Sequence, residues 1–198
     1  SAEAMQGLWG RILAGEIKAP GSFSLRTLDF LRNLSQEEAV EIEKLSRYVI
    51  GGIIWRDDSL KGELPFSTMM AMQDLGILSG VEAIGLQMNW TSDDPNVFVK
   101  AITSHGKVVV IRHDDPKKTL AFPAYLLTGI GKQILRLGKF SPHIDYLNRV
   151  GQSIQKKGFT VVLADFVQES ESMIQVFNEY PIAAQGIQPD PASGGSAG

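Results

Sequence analysis

The sequence predicts an α+β protein, and three observations support that expectation. Helical periodicity fills the first 55 residues, strict alternation sets in from Ile84, and helical stripes return after Leu127. Helices first and strands later, without a regular strand–helix repeat, indicate segregated layers. The 198 residues are 43% hydrophobic and include no cysteine, so an ordinary core is available while disulfides and thiolate chemistry are excluded. No run of about 18 apolar residues occurs, which excludes a membrane-spanning helix. The expected organisation is a three-helix N-terminal part over 1–55, an α+β part over 56–184 and a flexible tail over 185–198. The whole is expected to be a fragment of a longer protein.

Met5, Leu8, Trp9, Ile12 and Leu13 form one helical stripe, which Pro20 must end. Ser22 or Ser24 can cap a second helix bearing Leu25, Leu28 and Leu31. Ser35 followed by Glu38 is a capping box, with Ala39, Ile42, Leu45 and Val49 behind it. Gly51 and Gly52 stop that third helix before the apolar Ile53-Ile54-Trp55. Residues 57–63 are polar and loop-like. Phe66 to Leu75 has the length of a short helix, and Gly76 suits its left-handed cap.

Ile84, Leu86 and Met88 alternate with small or polar residues, as a strand does. Val97-Phe98-Val99 with Ile102, then Lys107 to His113, then Thr119 to Phe122 complete an expected antiparallel meander. Thr128 caps a helix that ends at Gly138. Ser141 and Pro142 suit the N-cap and first turn of another helix, whose stripe runs from Ile144 to Ile154. Phe159 to Leu163 reads as a strand, and the polar segment 169–180 has no assignment. The Pro/Gly/Ser-rich 185–198 cannot bury enough apolar surface to offset its ordering entropy.

The formal charge of −3 hides a strong asymmetry. Residues 1–99 carry −6, residues 100–157 carry +8 and residues 158–198 carry −5. Such a division suggests either a polyanion surface or internal electrostatic pairing. Arg112, Lys117 and Lys118 flank a turn, and Lys132, Arg136 and Lys139 share one helical face. These six are the candidate nucleic-acid-binding residues, since a phosphate backbone binds basic clusters through counterion release. The alternative is a basic half docked on the acidic parts or on a partner subunit, and that alternative is favoured.

Catalytic and metal motifs are sparse. His105, His113 and His143 stand at no helical ligand spacing, so no metal and no cofactor is implied. His113-Asp114-Asp115 lies where a turn is expected, and Asp in a turn is ordinary backbone chemistry. No nucleophile elbow, P-loop or dinucleotide fingerprint occurs. An enzyme would need His113, Asp57 or Asp58 to meet other polar groups in a pocket.

Two resemblances follow from longer patterns. Leu75-Gly76-Ile77-Leu78, then strands with a basic turn, then Leu127-Thr128-x-x-Gly131-x-x-Ile134-Leu135, resembles parts of winged-helix domains. That resemblance implies a helix and small antiparallel sheet, then two helices and a strand, with residues 112–118 as the wing tip. Ser67 to Gln73 lacks Arg and Lys, which disfavours sequence-specific DNA reading. Trp9 to Ile17, Pro20 to Leu28 and Leu34 to Ala39 resemble an uncharacterised bacterial family, domain of unknown function 2806. That implies a bacterial, cytoplasmic protein and carries over no activity and no site residue. The function expected is a non-enzymatic binding or scaffold module making a protein–protein contact or self-associating. The alternatives are polyanion binding through 100–157 and an enzyme of unidentified chemistry.

Overall fold

The computed structural model describes residues 10, 23–57, 59–82, 86–92, 94–138, 140–169 and 173–182. The stripe from Met5 to Leu13 and the tail lie outside the described residues. The protein is α+β, with helices packed on two antiparallel sheets.

Helix α1 spans Leu25–Asn33, and Ser24 is its cap: the hydroxyl accepts the Thr27 N–H at 3.2 Å. Leu31 is buried, whereas Leu25 is exposed. Helix α2 spans Gln36–Ser46 behind the capping box. Ser35 Oγ accepts the Glu38 N–H at 3.2 Å, and Glu38 Oε2 accepts the Ser35 N–H at 2.7 Å. This reciprocal pair satisfies two otherwise free donors of the helix start. The helix ends at Ser46, so Val49 enters the core from the loop.

Strand β1 (Ile53–Trp55) is wholly buried and leads to a single turn, α3 (Leu60–Glu63), in the segment expected to be loop. Helix α4 (Phe66–Asp74) ends as its sequence suggests. Gly76 takes φ +74°, and the Ile77 N–H reaches back to the Met72 carbonyl at 2.9 Å, closing a Schellman-type cap. The strands that follow are β2 (Leu78–Ser79), β3 (Leu86–Trp90), β4 (Phe98–Ser104), β5 (Lys107–His113) and β6 (Leu120–Leu127). Helices α5 (Gly129–Leu137) and α6 (Ile144–Gln155) come next, then β7 (Thr160–Gln168) and β8 (Ile174–Pro181).

The strands do not form one meander. In the first sheet β6 pairs with β1 on one edge and with β2 and β3 in succession on the other. The second sheet has the order β4-β5-β7-β8. Strands β5 and β6 therefore lie in different sheets, and the basic turn between them is a crossover rather than the tip of a hairpin wing. The physical reason is β7: it takes the edge of β5 that a meander would have given to β6. The last part of the chain holds two strands where one was expected. Its alternation was obscured because β8 is polar and largely exposed.

Thr128 caps α5, accepting the Gly131 N–H at 3.0 Å while its hydroxyl donates to the Gly76 carbonyl at 2.5 Å. A side chain at Gly131 would run into the Ile77 carbonyl, so glycine permits the close seating of α5 on the turn that leads from α4 into β2. The cap of α6 is not Ser141. His143 Nδ1 accepts the Tyr146 N–H at 3.2 Å, two residues later than expected. The His143 N–H is held by the Arg47 carbonyl at 2.9 Å, so a tertiary contact sets that helix start.

One core joins these parts. It includes Leu31 and Leu45 from the first helices, Trp55 and Phe122 from the first sheet, Val109 and Leu163 from the second, and Val150 from α6. A small second cluster, Val108, Val110 and Ala164, lies on the other face of the second sheet.

Candidate functional site

The six basic residues singled out by sequence have different environments. Arg112 on β5 is engaged: its Nη2 donates to Glu179 Oε1 at 2.7 Å. Lys117 is exposed on the crossover, where Asp115 Oδ1 accepts its backbone N–H at 2.9 Å. Lys118 reaches across 40 residues of chain, donating to the Gly158 carbonyl at 3.1 Å with its ammonium 4.7 Å from the Phe159 ring centre. Lys132 and Arg136 are exposed on α5. Lys139 lies outside the described residues. Among the described residues, no hydrogen bond or ion pair links the crossover lysines to the pair on α5.

The charge segments pair across their boundaries. Lys107 meets Asp165 at 2.5 Å, Arg112 meets Glu179 at 2.7 Å, and Arg149 meets Asp57 at 3.0 Å and Glu63 at 2.7 Å. Each cation comes from the basic middle, and each carboxylate from an acidic flank. Part of the asymmetry is thus internal pairing rather than open basic surface.

Two of these pairs predict acid sensitivity. The hydrogen bond from Lys107, then that from Asn178, hold the Asp165 carboxyl below its ordinary value. The Arg112 hydrogen bond does the same for Glu179. A carboxylate depressed in the folded state adds stability above its unfolded pKa of about 4 and loses it as pH falls through the folded value. The urea midpoint should therefore stay level from these pairs above about pH 5 and decline below about pH 4. Asp165→Asn should flatten that decline in a urea series carried from about pH 5 to well below about pH 4. An acid limb identical to wild type would exclude the pair as its source.

Arg149 centres the most enclosed polar cluster described. Its side chain is 17% exposed and spans Asp57 and Glu63, with the Tyr146 ring 5.9 Å away. Burial opposes its charge, but hydrogen bonds to Glu63 and Asp57 outweigh that and raise its pKa. Burial, then the charge of Glu63, raises the Tyr48 hydroxyl. Burial raises Tyr146 far more, although its hydroxyl donates to the Trp55 carbonyl at 3.1 Å. Every buried side-chain polar atom among the described residues has a partner, so the cluster is a satisfied structural network.

This cluster borders two clefts. One, of about 470 Å³, is lined by Arg56, Asp57, Ser59, Arg149 and Lys156 among others. The other, of about 450 Å³, is more apolar and is lined by Leu60, Phe66, Met69 and Tyr125 beside the same Arg56 and Asp57. His113 belongs to a third cleft, with Arg112, Asp114 and Thr160, and its Nδ1 accepts the Asp115 N–H at 2.9 Å. The structure therefore does not bring His113 to Asp57, and Asp58 lies outside the described residues. Sequence reading missed Arg149 as an organising residue. It stands 92 and 86 residues from its two partners, and nothing local distinguishes it from the other basic residues.

A further surface lies on β8. Among the described residues β8 pairs with β7 on one side and with no strand on the other. Val167, Met173, Phe177 and Tyr180 are exposed on or beside this hairpin.

Residues 1–51 match the family model described as Protein of unknown function (DUF2806), in agreement with the resemblance seen in the same stretch. No curated protein and no solved structure matches the chain. No helix among the described residues is long and apolar enough to cross a membrane.

Proposed function

We propose that the chain is a non-enzymatic binding module whose protein–protein contact is self-association, with a second copy pairing along β8. The observation that supports this most is the edge of β8 that no strand takes among the described residues and that carries no repelling charge. Natural edge strands are commonly protected by lysines or inward charges. The only charged residue in β8 is Glu179, and Arg112 of the same chain neutralises it. Two identical edges can pair antiparallel about a two-fold axis, because such a contact is self-complementary. The register shift opposite Leu163 and Asp165, with Asn178 at φ +52°, limits the regular edge to Ile174–Phe177. A stretch this short suits a weak, concentration-dependent dimer. The bacterial and cytoplasmic setting implied by the family resemblance belongs to this reading, and the absence of cysteine agrees with a reducing compartment.

Sedimentation over a concentration series should show a monomer–dimer equilibrium. Phe177→Lys should weaken it by roughly tenfold or more, since the two-fold axis places the new charges near each other. Circular dichroism of the variant reports whether the fold is retained. A wild-type protein that stays monomeric throughout the series, or a dimer indifferent to a folded Phe177→Lys, overturns the reading.

A further inference from the structure

We propose that the cleft between the loop after β1 and the C-terminal half of α6, with the lysines that continue it, binds the phosphate backbone of a single nucleic-acid strand. The proposal stands apart from self-association along β8 and uses none of its residues.

Three cations, Arg56, Arg149 and Lys156, line the cleft against one carboxylate, Asp57. Asp57 is bound to Arg149, which is also held by Glu63. That network is closed on itself and fixes the cleft wall. Its carboxylates face a guanidinium already in place, so their repulsion of an incoming anion is offset at the source. Lys156 is exposed and has no ion pair among the described residues, so it is the cation the cleft offers to a ligand. The Ser59 hydroxyl lines the same space and adds a neutral donor of the kind that positions phosphate oxygens.

The positive edge continues beyond the cleft. Lys157 follows Lys156 at the end of α6, and both are exposed. Lys118 is drawn to the next residue, donating to the Gly158 carbonyl at 3.1 Å, and Lys117 precedes it on the crossover. This bond brings the Lys118 ammonium to the residue that follows Lys157, although the two stand 40 positions apart in sequence. Several cations near the one that lines the cleft suit phosphates in series better than one isolated anion. A cleft of about 470 Å³ has the size of a small-ligand site, with room for backbone phosphates of a single strand. Contacts of this kind position a backbone without reading bases. Asp114 and Asp115 on the crossover oppose the field there, so Lys156 and Lys157 should dominate.

Fluorescence anisotropy with a labelled 20-nucleotide oligothymidylate tests this across a salt series. Wild type should bind at low salt and lose affinity as salt rises. Lys156→Gln with Lys157→Gln should weaken binding at least tenfold and reduce the log–log salt slope by about 1.4, at about 0.7 per phosphate contact on a single strand. Lys132→Gln with Arg136→Gln should leave affinity and slope unchanged. The proposal is overturned if wild type does not bind at low salt, or if the α5 variant carries the loss instead. It is also overturned if a duplex of the same length binds more tightly than the strand. Inorganic phosphate that protects against thermal unfolding while the oligonucleotide fails to bind would reduce the cleft to an isolated anion site. Persistence of the β8 dimer in the Lys156→Gln, Lys157→Gln protein separates this result from the oligomeric state.

Discussion

Phe122→Ala should be the most destabilising of the substitutions considered, by roughly 3–5 kcal/mol. Phe122 is fully buried in β6. Its ring stacks on Trp55 at 4.0 Å and 8°, and receives the edge of Trp90 at 4.4 Å and 70°. Trp55 sits on β1 and Trp90 on β3, which pair with opposite edges of β6. Truncation therefore opens a cavity between two large rings that cannot both collapse into it, and also removes two aromatic contacts. For a protein of this size the loss corresponds to a fall in Tm on the order of 10 °C. Urea unfolding should show a lower midpoint at unchanged slope. A loss below about 1.5 kcal/mol would mean that the three rings do not pack as described. Phe122→Leu should recover much of the stability, because volume matters more at this position than aromaticity.

Arg149→Met should cost roughly 2–3 kcal/mol, somewhat less than a fully buried pair because Glu63 is partly exposed. The substitution leaves Asp57, whose side chain is 12% exposed, and Glu63 facing each other without the guanidinium. Most of the loss comes from those unpaired carboxylates rather than from the absent attraction. Adding Asp57→Asn and Glu63→Gln to the Met variant should therefore restore at least half of the stability. Equilibrium urea unfolding of the single and triple variants measures both effects. A triple variant no more stable than the single would locate the loss in packing against Tyr146 instead.

Elements whose signals are local were legible in the sequence. The capping box at Ser35 and Glu38 and the Thr128 cap need only neighbouring backbone donors, and both form as their spacing implies. Gly76 was legible too, through its left-handed turn. The start of α6 was not. Ser141-Pro142 is a sound local signal, but a hydrogen bond between the His143 N–H and the Arg47 carbonyl, 96 positions away along the chain, moves the helix start. Sheet membership was equally hidden. Four strand patterns in succession look like a meander, and only the arrival of β7 on β5 separates β6 into another sheet.

The candidate site divides in the same way. The concentration of eleven basic residues in 100–157 is a property of the sequence. Which of them remain open to solvent is not. Arg112, one of the six residues first singled out, is held by Glu179, while Lys156 and Lys157, not singled out, are exposed just before the Gly158 carbonyl that Lys118 reaches. The order and identity of the residues alone exclude a disulfide, a thiolate site and a run apolar enough for a spanning helix within this chain, and divide its charge as −6, +8 and −5. The tertiary structure decided how those charges meet. Cation–carboxylate distances of 2.5 to 3.0 Å depend on sheet register and helix docking, which bring together residues 58 to 92 positions apart. Coulomb attraction acts through that short distance and takes no account of separation along the chain.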